Sequence, residues 1–597
     1  MSDIKMNHEI DFSLRPWHLA NTTLRNPLRL RNALQALVDA GFEGRMGKEE
    51  EEAIARALDN AGIITLNPRT KDITSISRKW RSGLSKLGFI TPDFTKLKEI
   101  RDLDTKQILN ELGKPYTVTE NGQRLLSAQS LQAQQEVFLR SISALSLPSP
   151  LEHNYAFKPF SPLRHIVGIL RQLKKNGIEP YISRLEMASL VIFTHNTSDI
   201  EAICDEIMAL RTRRERAVSK RKFDVETMES ALERQRTLGA SHSNYGTFYD
   251  YQDVSFRYLK MTGLFQAKGR GISLVPEKKT IAHAICDNSY DPLPGPVRYM
   301  QRLFSGAELP TDNIRGAVSV LEDLIKVAKA RRLAFDKSNY DLSTVAGASA
   351  ARYDLDALIF QNKELEFALE QPREIDEISA YLAMLDENKT TYQFGDYELK
   401  IPKEERAAYL EWTLWRVVLA FGDLVIPPNS VRRFHIDQDF LPIGTASGGG
   451  ADIIAEYDDK VIVIEVTLTE SSRQEAAEGE PVRRHVADML AAHRTDGKDV
   501  LGLFIARNID TNAAETFRVG TWYLSDNDKV RLDIAPLTLK QLRIVVDYAG
   551  RHKTLSPRVF FELIQSVMSS RDNTSGAPGW KEEIESHVRS VYSPQRR

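Results

Sequence analysis

One short stretch, residues 447–480, constrains the fold more than any other part of the sequence. A glycine-rich segment leads into Asp452, and turn-forming residues follow at 457–460. The chain continues with an apolar, β-branched run at 461–464, which ends in Glu465. A tight turn between two such runs is typical of an antiparallel hairpin, in which the start of the first strand lies beside the end of the second. The pattern therefore predicts that the carboxylates of Asp452 and Glu465 lie a few ångströms apart.

Two carboxylates in that position form a candidate metal site. A carboxylate at the end of a β-branched run is costly to bury alone, and a nearby cation is the usual partner. Asp452, Glu465 and the backbone carbonyl of Val466 supply the hard oxygen ligands that Mg²⁺ prefers, and they leave positions for water and phosphate. The hairpin therefore predicts a Mg²⁺ site with room for water and a phosphate group.

The predicted hairpin resembles the core of the PD-(D/E)-x-K nucleases. In those enzymes an acidic residue, a hairpin and an acid-x-Lys tripeptide build the metal site. The tripeptide here is Glu465-Val466-Thr467, so threonine stands in place of the lysine. Glu478 offers a further catalytic carboxylate, and a metal-activated water can attack without a lysine base.

Three further segments indicate a narrower family. They read LEWTLW at 410–415, EGEPVRRH at 478–485 and IAPLTLKQ at 534–541. In this order, and together with the hairpin, they resemble the AlwI-type family of type IIS restriction endonucleases, which includes site-specific nicking enzymes. The resemblance implies that the N-terminal part reads an asymmetric DNA site and that a Mg²⁺-dependent C-terminal domain cuts a few base pairs away. It also implies that Glu411 belongs to the catalytic metal site or supports it.

Two segments of the N-terminal half have the sequence shape of a winged helix. Each has a helix that ends at a short glycine motif, LGFI at 87–90 or TGLF at 262–265, and a strand-and-turn pattern follows at 116–126 or 266–274. Basic residues near such helices and turns can contact DNA phosphates or base edges. The alternative for each is a solvated surface charge. The DNA-binding candidates are Arg78, Lys79, Arg81, Arg213, Arg214 and Arg270, with Arg483, Arg484 and His485 in the C-terminal domain.

The expected fold is multidomain, because 597 residues are too many for one hydrophobic core. It is mainly α, with winged-helix-like DNA-recognition subdomains at residues 1–150 and 151–295. A helical linker domain is expected at 296–390, and an α/β PD-(D/E)-x-K nuclease-like domain with a central mixed sheet at 391–597. The net charge of -2 means that a DNA-binding surface requires basic residues segregated onto one face.

The composition also bears on where the protein works. No run approaches the length of a membrane span, and the N-terminus is polar, unlike a signal peptide. The two cysteines, Cys204 and Cys286, show no zinc-ligand spacing. These features predict a cytoplasmic protein without a membrane partner.

The favoured function is a type IIS restriction endonuclease acting on double-stranded DNA with Mg²⁺. One metal site cuts one strand at a time, so cleavage of both strands needs a transient homodimer or a small catalytic subunit. Otherwise the chain is a site-specific nicking endonuclease, the large subunit of a heterodimer. The family resemblance also implies a cognate DNA methyltransferase. Two alternatives stay open, namely a winged-helix DNA-binding protein with an inactive nuclease domain, which the missing lysine favours, and a repair or recombination nuclease that recognises DNA structure.

Overall fold

The computed structural model describes residues 10–64, 66, 72–94, 97, 100, 104–152, 155–195, 199–395, 397–446, 449–470 and 473–593. The chain divides into two compact units, Met1–Leu358 and Ile359–Arg597. This division falls inside the predicted linker domain. The boundaries of the four predicted domains are finer and stay a prediction.

The first unit consists mainly of helices. Side-chain N-caps of threonine, serine or asparagine begin several of them, including α5, α6, α7 and α14. The helices are α1 (Arg29–Asp39), α2 (Glu51–Asn60), α3 (Thr74–Lys86), α4 (Thr105–Leu112), α5 (Glu120–Ser127), α6 (Leu131–Ala144), α7 (Pro162–Lys175), α8 (Arg184–Ser189), α9 (Ile200–Arg216), α10 (Lys220–Thr237), α11 (Gly246–Met261), α12 (Lys279–Asp287), α13 (Pro296–Ser305) and α14 (Ile314–Ala330). The strands are β1 (Ile182–Ser183), β2 (Phe265–Lys268) and β3 (Gly271–Leu274).

The three strands of the first unit form an antiparallel sheet with the order β1-β3-β2. β2 and β3 make a hairpin shortly after α11, with Phe265 opposite Leu274, and β1 pairs with β3. Gly271 permits the close approach of β1, because a Cβ atom there would lie 2.2 Å from the carbonyl oxygen of Ile182. The strand-and-turn pattern predicted at 266–274 is therefore present as a hairpin.

Residues 116–126, predicted as a strand and turn that enter a helix, do enter α5, but their strand pairing is shorter than predicted. Val118 forms only an isolated antiparallel bridge with Ile90. The reason is local, because the hydroxyl of Thr119 accepts a hydrogen bond from the N–H of Gly122 at 3.0 Å and caps α5. The helix thus begins before a strand can extend.

The second unit contains the remaining elements. Helix α15 (Val345–Glu370) crosses the division between the units. The helices that follow it are α16 (Ile375–Asp386), α17 (Arg406–Phe421), α18 (Pro428–Val431), α19 (Glu480–Ala492), α20 (Thr511–Val519), α21 (Leu539–His552), α22 (Arg558–Ser570) and α23 (Ala577–Tyr592). The strands are β4 (Thr391–Phe394), β5 (Tyr397–Lys400), β6 (Ile453–Glu456), β7 (Lys460–Thr467), β8 (Asp499–Ala506), β9 (Thr521–Tyr523), β10 (Lys529–Arg531) and β11 (Ile534–Thr538).

A four-stranded sheet with the order β11-β8-β7-β6 lies in the core of this unit. β6 and β7 form the antiparallel hairpin that the turn residues predict, with Ile453 opposite Ile464. β7 pairs in parallel with β8, and β8 pairs in parallel with β11. Both central strands are buried along almost their whole length, as expected for parallel strands covered by helices.

Gly502 of β8 lets α19 pack closely against the sheet. A Cβ atom at this position would lie 2.8 Å from Ile534 Cγ1 and 3.0 Å from Val486 Cγ2. Val486 belongs to α19, so the absence of a side chain on Gly502 brings that helix toward β7 and β8. In the described part of the chain, no helix is both long enough and apolar enough to span a lipid bilayer.

Candidate active site

Asp452 and Glu465 lie opposite each other where the hairpin opens. The register that pairs Ile453 with Ile464 brings them together at this end. The Oδ2 atom of Asp452 accepts a hydrogen bond from the backbone N–H of Val466 at 3.0 Å. This bond turns the Asp452 carboxylate toward the end of β7. Glu465 is only 8% exposed, so its charge is largely removed from water.

Glu411 supplies a third carboxylate from α17, a helix that is buried from Ala408 to Phe421. Its Oε2 atom accepts a hydrogen bond from the N–H of Ala446 at 2.6 Å. Burial, together with the charges of Asp452 and Glu465, raises the pKa of Glu411 to about 8, although the Ala446 hydrogen bond acts in the opposite direction. The three acids are therefore close enough to oppose one another's ionisation.

Glu478 is the fourth acid of this group, and it lies on a π-helical turn, Glu475–Gly479, directly before α19. Burial and the charge of Glu465 raise its pKa, whereas a hydrogen bond from the Thr467 side chain lowers it. Thr467 is the third residue of the Glu465-Val466-Thr467 tripeptide, where the predicted resemblance implies a lysine. In this chain that position therefore holds a carboxylate in place and brings no positive charge.

These four carboxylates, Asp452, Glu465, Glu411 and Glu478, are called the acidic cluster below. Burial and Glu465 raise the pKa of Asp452 to about 7, with a smaller contribution from Glu478, against the effects of the Val466 hydrogen bond and His485. Among the described residues, no arginine or lysine forms an ion pair with any member of the cluster. The cluster therefore concentrates negative charge without a fixed arginine or lysine to balance it.

His485 is a basic side chain in direct contact with the cluster. Its Nδ1 atom lies 2.5 Å from Glu465 Oε1, and its ring is 8% exposed. The Nε2 atom is buried and has no hydrogen-bond partner among the residues that the structure describes. This placement differs from the phosphate-contacting role predicted for His485, because the packing of α19 against the sheet turns the ring inward. Sequence spacing does not reveal a contact between residues that lie 20 positions apart.

The donor set of the cluster fits Mg²⁺, although no metal-binding group of three or more His, Cys, Asp or Glu side chains is formed in the described regions. Mg²⁺ keeps several water ligands and typically binds through one or two carboxylates. Asp452 and Glu465, with the carbonyl of Val466, match that requirement. The raised pKa values also match it, because a divalent cation relieves the repulsion between neighbouring carboxylates.

The predicted DNA-binding residues of α3 separate into two kinds. Arg78 and Lys79 are exposed, and Arg78 lies 3.4 Å from Asp72. Arg81 is turned into the protein, where it forms an ion pair of 2.8 Å with Glu51 and also donates to the carbonyl of Met46. Arg81 therefore stabilises the fold, and this placement does not fit the DNA contact predicted for it.

The other predicted DNA contacts of the first unit are more accessible. Arg213 is exposed and lies 2.6 Å from Glu206, and Arg214 makes two hydrogen bonds with Asp224. Arg270 is exposed at the turn between β2 and β3. Arg270 is thus the most freely presented of these three guanidinium groups.

Arg483 and Arg484 lie on α19 beside His485. The Nε atom of Arg483 donates to the carbonyl of Gly479 at 2.9 Å, and its guanidinium lies 5.4 Å from the ring centre of Trp522. Arg484 is half-buried and pairs with Glu480 at 3.0 Å. Both side chains are close in sequence to the acidic cluster but lie outside it.

Comparisons with known proteins point to DNA cleavage. The family model of the AlwI restriction endonuclease matches residues 85–545. A search of curated proteins finds no match.

Several solved structures are similar to parts or most of the chain. One is the small subunit (R.BspD6I2) of the heterodimeric restriction endonuclease R.BspD6I, with 24% identity and a TM-score of 0.28 over 36% of this chain and 98% of that chain. Another is the BpuJ1 endonuclease binding domain, solved in complex with pyrene- and phenanthrene-modified DNA. It has 12% identity and a TM-score of 0.27 over 43% of this chain and 86% of that chain. A third is restriction endonuclease FokI, with 10% identity and a TM-score of 0.25 over 92% of this chain and 99% of that chain.

Proposed function

Because the chain belongs to the AlwI restriction endonuclease family, we propose that it is a type IIS restriction endonuclease. It recognises a short asymmetric sequence in double-stranded DNA and hydrolyses phosphodiester bonds a few base pairs away with Mg²⁺, in the cytoplasm. The observation that carries this proposal is the acidic cluster at the open end of the β6–β7 hairpin. Its four carboxylates come from four separate segments, which is the arrangement expected of a built site and not of a solvated charge run.

Asp452, Glu465 and the Val466 carbonyl hold the metal ion in this proposal. The N–H of Val466 fixes the Asp452 carboxylate, and His485 fixes that of Glu465. Bound Mg²⁺ supplies the Lewis acid that activates water and balances charge at the scissile phosphate. Glu411 and Glu478 complete or orient the site.

The N-terminal unit reads the DNA sequence in this proposal. A winged helix combines three helices with a small sheet that ends in a hairpin. Helices α7, α8 and α11 and the sheet with the order β1-β3-β2 match this arrangement, and α9 and α10 are then an insertion between α8 and α11. Arg270 then stands at the tip of the wing, where it can reach a phosphate or a groove. Arg78 and Lys79 serve the same purpose on α3, together with Arg213 and Arg214, and Arg483 and Arg484 contact phosphates beside the cluster.

One chain carries one acidic cluster among its described residues, so one chain cuts one strand at a time. Cleavage of both strands therefore requires a second catalytic domain, from a transient homodimer or from a small catalytic subunit. Without either, the product is a site-specific nick. A cognate DNA methyltransferase belongs with an enzyme of this class and would protect the host sequence.

The test is digestion of supercoiled plasmid DNA with Mg²⁺ and with EDTA, followed by sequencing of the product ends. The control is the Asp452→Ala variant, prepared in the same way, which exposes any contaminating nuclease. Ends at a fixed distance from one short sequence support the proposal. Open circles without linear product indicate nicking.

An inactive nuclease domain gives a different result. The protein then binds a specific duplex but leaves every plasmid supercoiled at all Mg²⁺ concentrations. Thr467, in place of the lysine, is the feature that would explain such an outcome. Metal-dependent cutting of branched or damaged DNA without sequence preference would instead indicate a repair or recombination nuclease.

A further inference from the structure

A basic cleft in the first unit involves none of the nine DNA-binding candidates named in the sequence analysis. The cleft has a volume of about 1560 Å³ and is lined by residues 11–15, residues 155–161 and one face of α7. Five arginine and lysine side chains line it, against two acids, Asp11 and Glu201. The five are Arg15, Lys158, Arg164, Arg171 and Lys175. This excess of positive charge is local, because the whole chain has a net charge of -2.

The amphipathic pattern of α7 creates one wall of this cleft. The helix buries its apolar residues, including Leu163, Ile166 and Leu170, against the first unit. The opposite face carries the cations toward solvent. A second, smaller cleft lies around the C-terminal end of α7 and shares Arg171 and Lys175 with the first. The two clefts therefore make one basic surface on both sides of the helix.

The helix dipole explains only part of this charge. Lysines are favoured in the last turn of a helix, which accounts for Lys174 and Lys175. Lys158 comes from the segment before α7, Lys268 from the β2–β3 hairpin and Lys279 from α12. Side chains from four separate segments converge here, so the surface is a product of the tertiary fold.

Several of these cations are already used inside the protein. Arg164 donates to the carbonyl oxygens of Cys286 and Asn288, and Arg171 pairs with Asp287 at 2.6 Å. Lys268 pairs with Glu179 at 2.9 Å.

Three lysines of the same surface are exposed and remain available to bind an anion. Lys158, Lys174 and Lys175 are exposed, and within the described ranges none of them forms an ion pair with a carboxylate. Lysines without carboxylate partners on a concave surface attract a polyanion.

We propose that this surface holds the phosphate backbone of duplex DNA, an inference that rests on the proposed function and assigns a contact face within it. Lysine–phosphate contacts release counterions and supply most of the sequence-independent affinity of DNA-binding proteins. Arg270 lies two residues beyond Lys268 on the same hairpin, and Lys268 lines the smaller of the two clefts, so the tip of the hairpin is adjacent in the chain to the basic surface. Contacts between the α7 lysines and the DNA phosphates would fix the position of the protein along the duplex, and so the bases that the β2–β3 hairpin can reach.

The test compares two triple variants of the full-length protein with equal charge change. The first replaces Lys158, Lys174 and Lys175 by alanine. The second, a matched control, replaces exposed lysines of another region by alanine, namely Lys326, Lys329 and Lys337. Fluorescence anisotropy with a duplex of about 30 base pairs, in EDTA to prevent cleavage, measures affinity as a function of salt concentration.

The first variant should lower the slope of log K against log salt by about 3, because each lost phosphate contact contributes about 0.9. Its loss of affinity between about 50 and 200 mM salt should therefore be about 40-fold smaller than that of the wild-type protein. The control variant should keep the wild-type slope. A version with arginine at the same three positions should restore binding, since the charge is retained.

Two results overturn the inference while leaving the proposed function intact. One is an unchanged salt slope in the first variant. The other is an equal decrease in both variants, because net charge and not the α7 surface would then be responsible. If the wild-type protein binds no duplex DNA at any salt concentration, the proposed function itself fails, and the inference fails with it.

Discussion

Glu136 of α6 lies at the centre of a buried charge network, and its removal should have a large and pH-dependent cost. Its carboxylate accepts hydrogen bonds from Arg140 at 3.0 Å, from the Tyr353 hydroxyl at 2.8 Å, and from Arg352. Arg352 is only 6% exposed, so its charge depends on this carboxylate. Burial alone would raise the pKa of Glu136, but Arg352, Tyr353 and Arg140 outweigh it and lower the pKa to about 2.

The change Glu136→Gln keeps the shape of the side chain and removes its charge. Arg140 retains Asp312 as a partner, whereas Arg352 is left as a buried cation without its carboxylate. A pKa that falls from 4.5 to about 2 corresponds to about 3 kcal/mol of stabilisation. Breaking a buried ion pair by removing one partner costs about 3–5 kcal/mol. The variant should therefore lose about 3 kcal/mol at neutral pH.

The pH dependence follows from the sign of the shift. The folded-state pKa lies below the unfolded value, so the stabilisation is fully present above about pH 4.5 and is lost as the pH falls toward about 2. The difference between the wild-type protein and the variant should therefore shrink as the pH is lowered from 7 toward 3. The window is set by these two pKa values alone.

Amide hydrogen exchange by mass spectrometry, with peptides from α6 and α15, measures the local opening free energy without assuming two-state unfolding of a chain with two units. Glu206→Gln is the matched control, because Glu206 pairs with Arg213 on the exposed surface and should contribute less than about 1 kcal/mol. A loss below about 1 kcal/mol in Glu136→Gln at pH 7, or an equal loss at pH 3 and pH 7, would refute the reasoning.

Four further changes test the site and the fold. Asp452→Asn should abolish plasmid cleavage while duplex binding in EDTA stays unchanged; cutting at the wild-type rate would reject the metal-site assignment. His485→Ala should lower kcat/KM by about 10–100-fold, because Glu465 loses the group that orients it; wild-type kinetics would show that the contact is structural only. Gly502→Val should lower stability by about 1–3 kcal/mol, since the added atoms meet α19 and β11, as thermal unfolding would report. Arg81→Ala should reduce stability by about 3–5 kcal/mol, because the carboxylate of Glu51 stays buried without its partner. The same variant should keep the wild-type salt dependence of DNA binding, and a weaker salt dependence would show that Arg81 contacts DNA.

The sequence determined the features that depend on short-range chemistry. The turn residues at 457–460 and the β-branched run after them suffice to specify an antiparallel hairpin, so the pairing of β6 with β7 could be predicted. That register in turn places Asp452 opposite Glu465. Ordered motifs were also enough to indicate the AlwI family.

Only the tertiary structure decided which charged side chains face the site, the core or solvent. His485 and Arg81 read alike in the sequence, as basic residues on helices. The packing of α19 against Gly502 brings His485 onto Glu465, and the packing of α2 with α3 commits Arg81 to Glu51. The lysines around α7 converge from distant segments in the same way. Contacts of this kind join residues far apart in the chain, and local sequence patterns carry no information about such partners.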